Sequence, residues 1–277
     1  MKPKISRLST LASVLIGVGA SVTAHAAELF FDGTSNTDPG NGASAGVGGT
    51  WNTTLTNWDV GAVPHVAWNN TTNAADTAVF GNLGNSAVTV TAGTVSAGGL
   101  KFSSTGGGTT TRWTLSTGPI TLADGATVDG SAMDSKREAT ISLNAVLTGG
   151  GANGLSFIGG STINGVAYAS NFNSLTQTPR VNCLSLGGAN TFTGPVTITN
   201  VVEAPNQGGS VKAFGAVSND VTLKERALLA FSQATYSFGH KLIIDGINNA
   251  VTTHNTSTVF TLSGDVVSKN GASDVFW

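Results

Sequence analysis

Several patterns in this sequence of 277 residues are spelled like reactive or binding sites. Gly42-Ala43-Ser44-Ala45-Gly46 has the Gly-x-Ser-x-Gly spelling of a nucleophilic serine. Such a serine works on a sharp strand-to-helix turn, where a base and backbone N–H groups reach it. Here Gly and Ala surround it and no helical period follows, which predicts a loop. Gly149-Gly150-Gly151-Ala152-Asn153-Gly154 spells a dinucleotide fingerprint. That chemistry needs a helix N-terminus facing the pyrophosphate, whereas the alternating run Leu155-Ser156-Phe157 follows. Asp124, Asp129 and Asp134 recur at every fifth position, wider than the oxygen spacing of calcium loops, and read as solvated turn aspartates. His65, His240 and His254 are scattered without zinc-ligand spacing, and Arg112, Arg137 and Arg180 share no frame. These patterns predict no catalytic residue, no cofactor and no metal.

The elements that would carry such groups are short. Gly is abundant (37 residues), 40% of residues are hydrophobic and only 10% are charged. Apolar and polar residues alternate in Val88–Val90, Val95–Phe102, Trp113–Leu115, Ile120–Leu122, Thr127–Val128, Ile141–Leu143, Leu155–Phe157, Val221–Leu223 and Val259–Leu262, while Leu29–Phe31, Leu228–Phe231 and Leu242–Ile244 are short apolar runs. Period-2 runs bounded by Gly, Asn, Asp or Pro are half-buried strands. The best helical candidate, Lys224–Ala234, reads equally well as a strand through its Leu228–Phe231 core. Regular tight Asn-Gly hairpins are absent, which favours successive coils over paired hairpins. The expected fold is all-β: a right-handed parallel β-helix (solenoid) of coils about 20 residues long, roughly ten in number, with a β-sandwich as the alternative.

Trp51, Trp58 and Trp68 have two readings on such a fold. A solenoid needs a cap over its terminal coil, and aromatic side chains folded across it would serve. Exposed, the same three rings would stack on sugars. A glycine-rich chain with one cysteine, Cys183, cannot be stapled by internal disulfides and must be held by its core and ladders.

Lys2, Lys4 and Arg7 precede an uncharged apolar run from Leu8 to Thr23, and Ala24-His25-Ala26 supplies small residues for signal peptidase. This is the three-part secretory pattern, and the run is shorter than the roughly 20 residues of a membrane span. The expected organisation is a leader over 1–26, an N-terminal strand, loop and Trp-rich cap over 27–86, and repeats over 87–277. No membrane-spanning segment is expected in the mature chain. Loss of the leader removes three of the thirteen Lys and Arg residues, and the rest form no basic stripe; nucleic acid is an unsuitable partner.

Leu184-Ser-Leu-Gly-Gly-Ala-Asn-Thr-Phe-Thr-Gly194, followed by Pro195 and Val196-Thr-Ile198, resembles the autotransporter-associated β-strand repeat, a passenger-type β-helix family. Asn190, Thr191, Phe192, Thr193 and Gly194 stand at the family's turn positions, with Pro195 where Gly is usual. Trp51, Asn57-Trp58, Trp68, Asp76–Phe80, Val88–Val90 and Gly98–Phe102 resemble the opening of large exported proteins bearing these repeats. The resemblance implies a scaffold displayed on, or released from, the surface of a Gram-negative-type cell. It makes Asn190, Thr191, Phe192 and Gly194 structural turn residues rather than ligands. Phe260–Val267 looks like the start of another repeat, so a short or truncated member is expected. A membrane barrel needs at least about eight strands of about ten residues, which do not fit here.

Asn36-Thr37-Asp38 resembles a fragment of the β-helical polygalacturonase active site. That family's paired Asp-Asp, Gly-His-Gly and Arg-Ile-Lys motifs are missing, and Gly239-His240-Lys241 is a poor echo of them. Glycoside cleavage needs two carboxylates, so the expected function is non-enzymatic: a structural or adhesive surface protein whose partners are surface glycans or other cell-surface proteins. The alternatives are a polysaccharide-active β-helix enzyme and a carbohydrate-binding module using Trp51, Trp58 and Trp68. N-terminal sequencing of the exported protein should begin at Ala27 or Glu28; an intact Met1 on exported chains would contradict the leader.

Overall fold

Each alternating run bounded by Gly or Asn becomes a strand whose apolar residues point inward, and the strands stack on one another along a common axis. The computed structural model describes residues 26–276 except 35–39, 107–109, 134–140, 161, 164–165, 168–183, 205–211, 225, 232–234, 248, 254–258 and 270–274. The leader up to His25, Asn36-Thr37-Asp38, Asp134, Arg137, Arg180, Cys183 and His254 fall outside the described residues. Among the described residues there is no helix, so none is long and apolar enough to cross a membrane.

Two large sheets form the walls. One has 11 strands. From one edge they run Trp58–Asp59, Glu28–Phe31, Thr77–Leu83, Val95–Ser104, Ile120–Ala132, Leu155–Ile158, Val196–Thr199, Val221–Leu223, Leu242–Asp245 and Val266–Lys269, and Leu147–Gly149 pairs to the side of Ile120–Ala132. The facing sheet has nine strands: Gly49–Trp51, Ala87–Ala92, Arg112–Thr117, Ile141–Leu143, Leu184–Leu186, Val201–Ala204, Leu228–Phe231, Asn249–Thr253 and Val275–Phe276. The chain alternates between the sheets, and in each sheet a strand pairs in parallel with the next coil's strand. The result is the expected β-solenoid, but most coils are longer than the expected length of about 20 residues. Successive strands of the larger sheet begin at 77, 95, 120, 155, 196, 221, 242 and 266, so there are fewer coils than the roughly ten expected. A further parallel pair, Thr235–Phe238 with Val259–Leu262, lies outside both walls.

Register turns the sequence pattern into columns. In the larger sheet Leu29, Ala78, Leu100, Val128, Phe157, Ile198, Leu223 and Ile244 are successive register partners, and all are buried. In the facing sheet Trp113, Ile141, Leu184, Val202, Leu229 and Val251 form the matching column. Burial of each Val, Leu, Ile or Phe in these columns contributes about 1.5–3 kcal/mol. Leu228–Phe231 is buried along its whole length, which explains why its continuous apolar run also admitted a helical reading.

Corners between walls are made by residues that accept unusual backbone geometry. Gly154 has φ of 67°, and a Cβ there would come 1.7 Å from the Pro195 carbonyl oxygen. Gly194 has φ of 95°, and a Cβ would come 1.8 Å from the Gly151 carbonyl oxygen. Only glycine fits two corners stacked this closely. Asparagine side chains then tie coil to coil. The buried Asn190 accepts the Leu147 N–H at 2.8 Å through Oδ1 and donates to the Ala213 carbonyl at 2.8 Å through Nδ2. Asn219 accepts the Gly194 N–H at 2.9 Å, and Asn249 accepts the Ala227 N–H at 2.9 Å.

Asn190→Ala should lower the unfolding free energy by at least about 2 kcal/mol, read as a lower urea midpoint at unchanged slope, because a buried donor and a buried acceptor each lose a partner at about 1–3 kcal/mol.

Candidate functional site

Among the described residues, one cluster of side chains able to do chemistry lies at the N-terminal end of the solenoid. The polypeptide leaves the first parallel strand, Glu28–Phe31, and returns as Trp58–Asp59, pairing antiparallel to it with Phe30 opposite Asp59. Val66 then bridges back to Trp58 through two backbone hydrogen bonds. This two-residue antiparallel strand closes the sheet edge that a further coil would otherwise extend.

Trp51, Trp58 and Trp68 lie beneath this closure. Their ring centroids are 5.3 Å (Trp51–Trp58), 5.1 Å (Trp51–Trp68) and 4.6 Å (Trp58–Trp68) apart. Phe31 and Phe80 pack against Trp58, and Phe102 stacks on Phe80 at 5.2 Å. The Trp68 indole N–H donates to the Ser96 carbonyl at 2.8 Å, fastening the segment to the next coil. All three tryptophans are 0% exposed. The sugar-stacking expectation for Trp51, Trp58 and Trp68 is therefore corrected: rings packed against other rings in the core offer no face to a glycan.

Beside this aromatic cluster sit three ionisable side chains that sequence spacing did not connect. Asp32 follows the first strand, Asp59 ends the closing strand and His65 lies in the returning segment; all three are buried. One ligand atom from each lies within 4.8 Å of the others. Asp32 Oδ1 accepts the Ala45 N–H at 2.9 Å. Asp59 accepts the Gly42 N–H at 2.7 Å through Oδ2 and the Gly61 N–H at 2.6 Å through Oδ1. His65 Nε2 is 3.0 Å from Asp32 Oδ2. The signal that could have found the trio was the antiparallel return of Trp58–Asp59, which the sequence does not announce.

The remaining sequence candidates are structural where they are described. Ser44 donates its hydroxyl to the Val79 carbonyl at 2.8 Å and is buried, so the Gly-x-Ser-x-Gly match is a packed loop. Gly149–Gly154 is a coil corner leading into the strand Leu155–Ile158, with no helix. Asp124 accepts backbone N–H groups from Asn153 at 2.8 Å and Gly154 at 3.2 Å, and Asp129 accepts the Ser131 N–H at 2.8 Å. Neither points to a shared ion. His240 is buried between Phe214 and Phe238, with Nδ1 3.1 Å from the Asn219 carbonyl. Burial pushes its imidazole below the ordinary histidine pKa, against a smaller opposing effect of that hydrogen bond. Phe192 is buried against Phe157, while Thr191 gives its N–H to the Leu147 carbonyl at 2.9 Å. A shallow groove lined by Gly33, Thr34, Leu55, Thr56 and Asn57 contains no carboxylate, imidazole or thiol.

The adhesin BmaC autotransporter of Brucella suis biovar 1 (strain 1330) is 32% identical to this chain over 228 residues, 79% of the chain. The chain spans 5% of that relative's length. No protein-family model matches the chain, and no solved structure matches it. The chain is thus a β-solenoid similar to a segment of an autotransporter adhesin.

Trp58→Ala should destabilise the protein by about 3–5 kcal/mol, as core Trp truncations do, measured by urea unfolding. Any affinity for glycans should be unchanged in the folded variant, because the wild-type ring is not on the surface.

Proposed function

We propose that the protein is a non-enzymatic, exported structural and adhesive scaffold of the autotransporter-passenger type. The observation that carries this reading is the similarity of 79% of the chain to a segment of an adhesin, combined with the β-solenoid formed by the described residues. A stack of coils converts length into reach, and its outward rows present a regular surface. On the larger sheet Thr127, Ser156, Thr197 and Thr222 are successive register partners on the outer face, spaced about 4.8 Å apart as neighbouring strands must be. Uncharged hydroxyls in such a row suit contact with glycans or with the polar surfaces of other proteins, which are the proposed partners. The Ser44 hydroxyl, the Asp124 carboxylate and His240 Nδ1 each bond a backbone group, which supports a scaffold over an enzyme. Export through the leader of residues 1–26 and residence at the cell surface belong to the same reading.

Beads coated with the purified mature chain should bind animal cell surfaces in a saturable way that soluble chain competes away. The same protein should release no reducing sugar from a panel of plant and algal polysaccharides. Binding no better than that of an unrelated acidic β-protein would contradict the adhesive reading, and saturable sugar release would contradict the non-enzymatic one.

A further inference from the structure

The buried trio at the N-terminal closure goes beyond an adhesive role. Asp32 and Asp59 are 0% exposed, and the His65 side chain is 4% exposed. Two carboxylates in a core are costly unless a positive charge meets them. From Ala26 to Leu100 the sequence contains no Lys and no Arg, and His65 is its only histidine. Lys101, the next cation, faces Glu28 at 2.8 Å on the surface.

The three groups lie close enough together to share one ion. His65 Nε2 comes within 3.0 Å of Asp32 Oδ2, yet it makes no hydrogen bond. The distance is short enough for one, so the oxygen must lie off the line of a ring N–H. Two atoms bound tetrahedrally to a common zinc ion at about 2.0–2.2 Å stand about 3.3–3.6 Å apart without bonding to one another, so the 3.0 Å pair would open by a few tenths of an ångström around an ion. The carboxylates are held by backbone N–H groups of Ala45, Gly42 and Gly61, the outer-shell support that fixes ligating carboxylates in metal sites. Each carboxylate oxygen has two lone pairs, so these bonds leave acceptor capacity for an ion.

We propose that Asp32, Asp59 and His65 form a binding site for a divalent first-row transition cation, zinc by its mixed imidazole and carboxylate ligands. The ion neutralises the two buried carboxylates. It also joins the end of the first parallel strand to the closing strand and to the segment that returns over the tryptophans, locking the cap. Calcium suits the site less, because it takes six to eight oxygen ligands.

The test uses the mature chain carrying Cys183→Ser, stripped with chelator and titrated with zinc chloride at neutral pH. One zinc ion should bind per chain and raise Tm by several degrees. His65→Gln and Asp59→Asn should each weaken binding by more than about 100-fold, beyond the roughly 10–100-fold cost of losing an outer-shell partner. His240→Gln, which alters a buried histidine elsewhere, should bind as wild type. X-ray absorption of the zinc-loaded protein tests the ligands even if a variant fails to fold: one imidazole nitrogen with oxygen neighbours supports the site. No stoichiometric zinc, unchanged affinity in a folded His65→Gln, or a shell of two or more imidazoles would overturn it.

Discussion

The structure depends on one constraint: the backbone hydrogen bonds of its parallel ladders run along the solenoid axis, so residues of one coil's strands sit on register partners in the next. A side chain that points inward in one coil forces its partner inward in the next. The column from Leu29 to Ile244 is apolar throughout for that reason. The same rule allows large residues to recur, as where Phe102 stacks on Phe80. It also explains why so few charges are needed. A narrow interior filled from two facing walls leaves room for apolar side chains and for asparagines that bond the corners, and little else.

A stack that propagates this way must be stopped, and the N-terminal end shows how. The closing strand Trp58–Asp59 runs against the direction of the ladder and is two residues long. Beneath it, three buried tryptophans fill the end of the described core with large rings. The end of the stack is also where ionisable groups are buried, because the returning segment brings Asp59 and His65 against Asp32. Closure and burial of charge are two consequences of one reversal of chain direction.

Much of the wall was legible in the sequence because alternation survives folding unchanged. Val88–Val90, Trp113–Leu115, Ile141–Leu143 and Val221–Leu223 are strands at the places their pattern predicts. Ile120–Leu122 and Thr127–Val128, read as two runs, are one strand, Ile120–Ala132, whose register shifts around Gly125 with its φ of 78°. Val201–Ala204 was not legible as a separate strand. It follows Val196–Thr199 across a single corner residue, Asn200 at φ of 60°, so that two runs of different walls abut in sequence. The burial of Trp51, Trp58 and Trp68 was half legible: a cap was foreseeable from the need for one, but aromatic residues read the same whether they line a groove or fill a core. Asp32, Asp59 and His65 could not be joined from spacing at all. Their meeting depends on an antiparallel return that the flanking Gly, Asn and Ser residues do not encode.

The likeness to a segment of an autotransporter adhesin fits a protein whose repeating unit is the coil. In-register stacking is the claim on which the cap, the columns and the outward hydroxyl rows all rest. Paired spin labels at Thr77 and Thr222, in a Cys183→Ser background, measure it directly. These two positions belong to one outward column, through Gly99, Thr127, Ser156 and Thr197. Five ladder steps of about 4.8 Å predict a single narrow distance near about 24 Å, widened only by the reach of the labels. A broad distribution, or a sharp distance far from that value, would contradict a parallel stack.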